Sequence, residues 1–566
     1  MLNKNIIQEK EAKLKKLAKI AWDLSLKEFY FPPLNEPRYV FDYKRKEGFY
    51  IDPNHKWEIT MNLANVPPLK DDEEYIQYFH AILLHEISHY QIIPYDGIIH
   101  AKLLHAANKH VHSTHAPLVV NLFADLIIDT KLYKAKPDLM KWEIKKTFEH
   151  VAMPDFKSLS RFSKFLFNIY EKLWNIKIYE SFTSPETDAL ANKIKKIILT
   201  DFEDDSRWEE KVSKVAYYLK DFLKEEFTIM RGAGAPLKGK SRRKIPGYEL
   251  EMEIPDDVLE IIDNPLETKN SDKLKKDNED ELRKKAEEFA KNIPYSEFGA
   301  PARQSGILID GNALATWYRG LANNLISIKI YEKKYSGTLP IYPEKWRIGD
   351  PIEELDAILT IVTSPIIIPN VTTKKWKHER GVGRVEEKRM PDLLIVLDSS
   401  GSMYWNFMEH VKNERGPYHA ALVASFAILH QARMKGVKFS VINFSNHAEI
   451  CEWSKNYHEA ENVLLRYQGG GTQLPIKAIK KQVNKAEGNV LIFIITDFGI
   501  YNWTRSKQLL LELVQKGHKI VGFFIGSEKI PKNKFKGLLD KVSFYAIKNE
   551  KDLIHLVIKE IKKYYS

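Results

Sequence analysis

The sequence predicts a multidomain protein of α+β and α/β class, and three observations lead to that prediction. The chain has 566 residues, more than one hydrophobic core usually serves. Helical periodicity dominates its first part, with strand-like alternation only near the start. After Pro391, apolar strands alternate with helices, which is typical of a doubly wound, mainly parallel sheet. We therefore expect a mostly helical N-terminal domain with a small sheet and a Rossmann-like C-terminal domain.

Composition narrows the classes of function. With 87 Lys and Arg against 76 Asp and Glu, the formal net charge is +11, and hydrophobic residues make up 44% of the chain. That balance is ordinary for a globular protein and does not require nucleic acid, since no RNP, helix-turn-helix or zinc-finger signature accompanies it. Cys451 is the single cysteine, so any metal must be held by His, carboxylate, hydroxyl or water.

The N-terminal domain is predicted over residues 1–230. An amphipathic helix runs from about Gln8 to Glu28, and helices dominate again from about Glu74 to Phe227. Between them, strand-like alternation occurs at 38–41 and 56–61.

The middle of the chain is predicted as a basic linker and charged helix, 231–292, followed by a mixed connecting region, 293–390, whose fold we leave open. From Arg231 to Tyr248, Gly and Pro alternate with Lys and Arg and no acid interrupts them. From Lys269 to Lys291, both charge signs mix at helical spacing. In the connecting region, strand-like runs occur at 358–362 and 366–368.

No targeting or membrane segment is evident. The first residues lack the continuous apolar run of a signal peptide, and the longest apolar stretch, 357–368, is too short to span a bilayer. We expect a soluble, cytoplasmic protein.

The C-terminal domain is predicted over residues 391–566. A buried strand at 393–397 precedes an apolar helix at 418–434. The further predicted strands are 437–444, 490–496, 519–524 and 542–547. In such sheets, ligands bind outside the carboxyl ends of the strands.

Three segments offer oxygen ligands at those strand ends. Asp398, Ser400 and Ser402 follow the first strand, Thr472 follows three consecutive glycines, and Asp497 ends a later strand. Hydroxyl and carboxylate oxygens suit a hard cation, so we predict a site for Mg²⁺ (or Mn²⁺) that an acidic side chain of a partner completes. One segment alone would indicate only a capped strand-to-helix turn, whereas the three together favour a metal.

A second metal site is predicted from the run His85-Glu86-Ile87-Ser88-His89, which reads HExxH in an apolar helical context. Positions i and i+4 share a helix face, so both imidazoles can reach one Zn²⁺ while Glu86 acts on the attacking water as the catalytic base. Two unpaired histidines and a glutamate would be costly in a buried helix.

The third zinc ligand is predicted on a later apolar helix. Its polar residues Asn121, Asp125 and Asp129 are four apart and form one row. We predict Asp125 as the ligand, with Asn121 and Asp129 as groups that orient the ligands. The histidine-rich stretch before this helix leaves His105 and His115 open as alternative ligands.

The oxygen-ligand segments resemble the metal-ion-dependent adhesion site of von Willebrand factor type A (VWA) domains in residue type, order and context, over roughly 391–566. One departure is Phe498, which stands where family members commonly have glycine and which affects the shape of the local loop. The resemblance implies a domain that binds a protein partner through Mg²⁺.

The chain combines HExxH, followed by N-x-x-A-D-x-x-x-[ND], with such a C-terminal domain. In this combination it resembles a family of bacterial and archaeal proteins that have a zincin-like metallopeptidase domain and a C-terminal VWA domain. This resemblance covers the N-terminal domain through two helices only. It implies an association with a MoxR-type AAA+ ATPase.

Two hypotheses of function follow. The first is a zinc metallopeptidase acting on a peptide or protein, coupled to a VWA domain that binds a protein partner. The alternative is a non-catalytic metal-binding adaptor or scaffold for a MoxR-type AAA+ ATPase. Nucleic-acid binding rests only on the net charge and the basic linker, so we expect neither nucleic acid nor a membrane as partner.

Overall fold

The computed structural model describes most of the chain. The described residues are 2–43, 49–52, 58–152, 159–178, 185–226, 229–231, 240–244, 250–255, 276–308, 312–330, 340–348, 350–364, 366–378, 391–405, 416–525, 535–547, 552–553, 556–557 and 559–560. The chain divides into two units, of which the first covers Met1–Leu321 and the second covers Ala322–Trp405 and Arg415–Ser566.

The first unit is mainly helical, as the periodicity predicts. Its helices are α1 Leu2–Glu28, α2 Asp72–Gln91, α3 Gly97–Asn108, α4 Ala116–Ala135, α5 Pro137–Thr147, α6 Arg161–Trp174, α7 Pro185–Leu199, α8 Trp208–Glu226, α9 Lys276–Ala290 and α10 Tyr295–Gln304, and α11 Ala313–Ile330 begins in it. A small sheet has the order β1-β3-β2, with strands β1 Arg38–Val40, β2 Phe49–Asp52 and β3 Glu58–Asn62. Strand β2 is not among the predicted strands.

A second small sheet lies in the region predicted as a linker. Its strands are β4 Ile229–Arg231, β5 Lys240–Lys244 and β6 Leu250–Pro255, and both β4 and β5 pair with β6 in antiparallel fashion. The Gly- and Pro-bearing parts of that region, 232–239 and 245–249, lie outside the described residues, as does the start of the predicted charged helix.

Helix α2 lies between two apolar cores. Leu84 belongs to a core built from helices α3 to α8. Phe79, Leu83 and Ile87 belong to a core shared with α1 and the β1-β3-β2 sheet. Because α2 packs against an apolar core on two sides, it cannot rotate about its axis. The face that carries the histidines is therefore held in one orientation.

The second unit contains a six-stranded sheet, as predicted for a doubly wound fold. Its strands are β9 Asp392–Asp398, β10 Phe439–Phe444, β11 Ala448–Ser454, β12 Val490–Thr496, β13 Lys519–Ile525 and β14 Ser543–Ile547. The order is β11-β10-β9-β12-β13-β14, and all neighbours are parallel except β10 and β11. The antiparallel β11 is not among the predicted strands. The helices of this sheet are α13 Pro417–Met434, α14 Tyr457–Leu464, α15 Ile476–Lys485 and α16 Trp503–Gln515.

The order of this sheet determines where a ligand can bind. After β9 the chain continues to β10 on one side, and after β12 it continues to β13 on the other. The carboxyl ends of β9 and β12 therefore flank the switch point at which doubly wound sheets bind ligands.

The connecting region contains a hairpin and a short helix. Strands β7 Pro340–Lys345 and β8 Lys374–His378 pair in antiparallel fashion, and α12 Ala357–Thr363 lies between them in sequence. The strand-like run at 358–362 therefore forms a helix, and the one at 366–368 lies in a loop. The physical reason is local: Asp356 caps the helix by accepting the Leu359 N–H at 2.8 Å, which outweighs the strand preference of β-branched residues.

Within the described residues, none of the helices combines the length and the apolar character that crossing a bilayer would require.

Candidate metal centres

Helix α2 presents the two histidines of HExxH to helix α4, which packs against it. The Nε2 atoms of His85 and His89 lie 3.2 Å apart. Asp125 Oδ1 lies 3.7 Å from His85 Nε2 and 3.4 Å from His89 Nε2. Within the described part of the chain, these three side chains form the His and carboxylate group that is positioned to hold one metal ion. The structure thus brings together the three residues predicted as zinc ligands.

The hydrogen bonds on the far side of each ring determine which nitrogen carries hydrogen. His85 Nδ1 lies 2.6 Å from Asp129 Oδ1, and His89 Nδ1 lies 3.0 Å from the carbonyl oxygen of Ile93. A carboxylate and a carbonyl only accept, so both Nδ1 atoms donate. Both Nε2 atoms then face each other and Asp125 Oδ1. Without a proton or a metal ion among them, these three atoms would present lone pairs that repel one another.

The pKa values of His85 and Asp125 depend on how close these side chains lie to one another and to Asp129. Burial alone would lower the pKa of His85, but Asp129 and Asp125 raise that pKa well above its ordinary value. Burial raises the pKa of Asp125, and the two histidines oppose this effect. The site therefore attracts positive charge, and a metal ion must compete with a proton for it.

Glu86 has free oxygens beside the histidines. It is 1% exposed, and neither carboxylate oxygen has a hydrogen-bond partner in the described structure. Burial raises the pKa of Glu86, and His85 and His89 partly counteract this rise. The side chain of His85 is 19% exposed and that of His89 only 1%, so solvent reaches the site from the His85 side.

Asp129 orients His85 and is itself held in place. The Tyr170 hydroxyl on α6 donates to Asp129 Oδ2 at 2.5 Å. Both carboxylate oxygens of Asp129 are therefore engaged, one by the imidazole and one by the phenol. Asn121 lies buried one turn before Asp125 on α4, and its orienting role stays a prediction.

Sequence reasoning missed three polar side chains around this site. Tyr170 has no sequence signal, because its contact with Asp129 joins residues 41 positions apart. Glu143 shares one face of α5 with the buried Met140 and Ile144, so helical periodicity indicates its position. Burial raises the pKa of Glu143 to about 7, with Asp129 adding to that rise.

The third missed residue is His100 on α3. It is 2% exposed, and neither ring nitrogen has a hydrogen-bond partner in the described structure. Burial, with His89 adding to it, lowers the pKa of His100 to about 3, so this imidazole is neutral at physiological pH.

The two histidines left open as alternative ligands lie elsewhere in the first unit. His105 Nε2 lies 2.6 Å from Glu297 Oε2, so a carboxylate of α10 engages it. His115 is buried immediately before α4, and burial, with His112 adding to it, lowers its pKa to about 4.

The oxygen ligands of the second unit lie at the switch point of the six-stranded sheet, and backbone hydrogen bonds join their three loops. Gly401 N–H donates to the carbonyl of Gly470 at 2.7 Å, and Gly469 N–H donates to the carbonyl of Ser399 at 2.8 Å. Tyr501 N–H, in the loop after β12, donates to the carbonyl of Thr472 at 3.0 Å. The structure thus brings together the three segments that the sequence predicts to meet, which we call the sheet-edge site: Asp398, Ser400, Ser402, Thr472 and Asp497.

Asp398 is the centre of the sheet-edge site. It is fully buried and accepts the Ser400 N–H at 2.9 Å and the Thr496 hydroxyl. Burial raises the pKa of Asp398 to about 6, although these hydrogen bonds oppose the rise. Ser400 Oγ and Ser402 Oγ lie 3.2 Å apart, and Ser402 is exposed. A buried carboxylate and a hydroxyl pair of which Ser400 is buried and Ser402 is exposed are a donor set suited to a hard divalent ion.

Phe498 takes the backbone conformation that glycine adopts most easily. Its φ is +58°, in the left-handed region, and its ring is 2% exposed. The ring packs edge-on against Trp503, Phe524 and Phe544. At this position phenylalanine therefore adopts a backbone conformation that is less favourable for it than for glycine. Its ring in return packs against other aromatic rings at the base of the site.

No protein-family model matches the chain, and no curated protein matches it. Among solved structures, it is similar to an aerotolerance-related membrane protein from Bacteroides fragilis carrying multiple mutations to serine, at 16% identity over 31% of this chain and 99% of that one, with a TM-score of 0.24. It is also similar to the conserved hypothetical protein BatB from Bacteroides thetaiotaomicron, at 15% identity over 31% and 99%, with a TM-score of 0.23. A third is proximal thread matrix protein 1 from the mussel byssus, at 14% identity over 30% and 47%, with a TM-score of 0.25.

Proposed function

We propose that the first unit is a zinc-dependent metallopeptidase domain of zincin-like type. The observation that carries this proposal is the convergence of three potential ligand atoms, His85 Nε2, His89 Nε2 and Asp125 Oδ1, at separations of 3.2, 3.4 and 3.7 Å. Tetrahedral zinc, with bonds of about 2.0–2.1 Å to its ligands, separates neighbouring ligand atoms by about 3.3–3.4 Å. The three side chains therefore fit three corners of a tetrahedron and leave the fourth corner open.

Each residue has a distinct chemical role in this proposal. His85, His89 and Asp125 would hold the zinc, which would serve as a Lewis acid that polarises a carbonyl and lowers the pKa of water. Glu86 takes the proton from the attacking water and returns it to the leaving amine, and its raised pKa brings it nearer the range in which a carboxyl does both. Asp129 keeps the hydrogen of His85 on Nδ1 and so directs Nε2 to the metal.

Metal analysis of the purified chain tests this proposal, together with cleavage of an unfolded protein. We expect about one zinc per chain and hydrolysis that a chelator abolishes. Zinc without hydrolysis would support the adaptor alternative. A chain purified without zinc, and unable to bind added zinc, would contradict both.

The ligand assignment gives a graded prediction. Asp125→Ala should weaken zinc binding more than Asp129→Ala, because the first removes a ligand and the second removes a group that orients one, a loss worth about 10–100-fold. Competition with a chromophoric chelator measures both affinities, with exposed Asp221→Ala as the control. If Asp129→Ala instead weakened zinc binding more than Asp125→Ala, the third ligand would not be Asp125.

We propose that the sheet-edge site of the second unit binds Mg²⁺ and, through it, an acidic side chain of a protein partner, as VWA domains do. The support is the buried Asp398 with its pKa of about 6, the hydroxyl pair at 3.2 Å and the exposure of Ser402. Because Ser400, Ser402 and Thr472 are neutral ligands, the ion keeps much of its charge and attracts an anion. A MoxR-type AAA+ ATPase is the partner that the resemblance implies.

Magnesium binding to the second unit should depend on pH. Mg²⁺ binds the carboxylate form of Asp398, and a pKa of about 6 means that most metal-free sites carry a proton at pH 5. We expect the affinity to be about tenfold weaker at pH 5 than at pH 7.5. Calorimetric titration with Mg²⁺ measures this, with Asp398→Asn as the variant that shows no binding at either pH. Equal affinities would place the magnesium ion away from Asp398.

A further inference from the structure

The second unit carries an apolar surface that belongs to neither metal centre. Nine large aliphatic side chains between residues 348 and 371 are between 45% and 78% exposed. They are Ile348, Ile352, Ile358, Ile361, Val362, Ile366, Ile367, Ile368 and Val371. We call residues 348–371 the apolar lobe. From Ala357 to Thr373 the sequence contains no charged residue.

Helix α12 of the lobe has its polar and apolar faces reversed. Its buried residue is Thr360, which is 1% exposed, whereas Ile358 and Val362 are each 78% exposed. The Thr360 hydroxyl donates to the carbonyl of Asp356 at 2.7 Å and accepts the Lys374 N–H at 2.9 Å. A helix that buries a threonine and exposes isoleucines has no apolar core of its own to cover, so its apolar face is available to another surface.

The exposure does not arise from loose backbone. The Ile348 N–H donates to Asn370 Oδ1 at 2.7 Å, which joins the two ends of the lobe. The Trp346 N–H donates to the carbonyl of Thr373 at 2.9 Å, and the Thr373 hydroxyl donates back at 2.8 Å. The lobe is thus a hydrogen-bonded unit that presents its aliphatic side chains in a defined arrangement.

We propose that the apolar lobe pairs with the same lobe of a second copy of this chain. By the transfer scale for burying one aliphatic side chain, the nine side chains expose on the order of 600 Å² of apolar surface. Two such faces clear the roughly 1,000 Å² that a specific interface needs. Because residues 357–373 carry no charge, two copies can meet through them without like-charge repulsion, although the rest of the lobe contains Asp350, Glu353, Glu354 and Asp356 and each chain carries a net charge of +11.

Charges of both signs lie at the base of the lobe. Lys375 Nζ lies 3.1 Å from Asp350 and 3.2 Å from Glu354, and the basic residues Arg347 and Lys374 are close in sequence. A face with an uncharged apolar centre fits an equal face related by a two-fold axis.

Sedimentation velocity of the full chain tests this proposal. The wild type is expected to be a dimer at micromolar concentration, and Ile361→Asp and Ile367→Asp are each expected to raise the dimer dissociation constant by roughly 30-fold or more, as loss of a central interface residue does. Met434→Asp is the matched control, because Met434 is an equally exposed apolar residue, 69% exposed, on α13 and outside the lobe. Circular dichroism and magnesium binding verify that the variants fold.

Three outcomes would overturn the proposal. One is a wild type that stays monomeric at all concentrations. Another is a dimer that both lobe variants leave intact, which would place the interface elsewhere. The third is a monomer that co-sediments with phosphatidylcholine vesicles through the lobe, which would make a lipid surface the occupant.

Discussion

Glu86→Gln is expected to keep its zinc and to lose peptide hydrolysis by about 10²–10⁴-fold, the range for removing a general base. Glutamine has nearly the same shape but cannot take a proton from water. The carboxylate of Glu86 has no hydrogen-bond partner in the described structure, so the change breaks no contact that holds the fold. Zinc content by mass spectrometry and cleavage of a labelled unfolded protein measure the two effects separately, with exposed Glu149→Gln as the control.

His89→Ala is the companion variant and should lose the metal itself. In the proposed zinc site, His89 supplies an Nε2 ligand from a side chain that is 1% exposed, and a solvent molecule would replace this ligand poorly in a buried site. Exposed His150→Ala should retain zinc as the wild type does. Equal zinc content in wild type and His89→Ala would contradict the site. A Glu86→Gln variant that hydrolyses the substrate as fast as the wild type would contradict the role of Glu86 as the catalytic base.

The convergence of the His85, His89 and Asp125 side chains was predictable because it is local to two helices. HExxH places two imidazoles on one face through the i, i+4 relation, and Asp125 and Asp129 are likewise four apart on an otherwise buried helix. Burial of polar groups is costly, so a row of them in an apolar helix indicates a shared partner. Periodicity cannot reveal which atoms face each other, and the distances in the site come only from the packing of α2 on α4.

Residues that act across the fold were not predictable. Tyr170 reaches Asp129 only because α6 packs on α4, and His100 reaches the surroundings of His89 only through the fold. An isolated tyrosine or histidine in an amphipathic helix carries no sign of such a contact. Interactions between distant helices require tertiary structure, which a single sequence does not display.

Two of the differences in secondary structure have different causes. Residues 358–362 look strand-like in sequence because Ile and Val favour strands, but the Asp356 cap and the hydrogen-bonded Thr360 stabilise a helix. Strand β11 was missed because its charged and polar residues give weak alternation, and its pairing with β10 supplies the stability. The parallel strands were easier to predict, because strands that are buried on both faces appear in the sequence as continuous apolar runs.

Asp398→Asn should abolish partner binding to the second unit while the fold survives. The amide oxygen can still accept the Ser400 N–H, and the amide NH2 can donate to the Thr496 hydroxyl oxygen in place of the bond that this hydroxyl now donates. Asp398→Ala would instead leave both donors unpaired at a cost of about 1–3 kcal/mol each. What the amide lacks is the negative charge that holds Mg²⁺. Thr472→Ala removes a neutral ligand from a different loop and should have the same effect on binding.

A pull-down with a purified MoxR-type ATPase, in Mg²⁺ and in EDTA, measures this effect. EDTA also strips zinc from the first unit, so Asp398→Asn, which leaves the histidine site intact, is the decisive comparison. Exposed Asp540→Ala is the matched control and should bind as the wild type does. Because the ion bridges two chains, one exposed Asp or Glu of the ATPase should be equally essential. An ATPase held equally well in EDTA and by Asp398→Asn would show that the interaction does not pass through the sheet-edge site, and the second unit would then act as a scaffold without a metal.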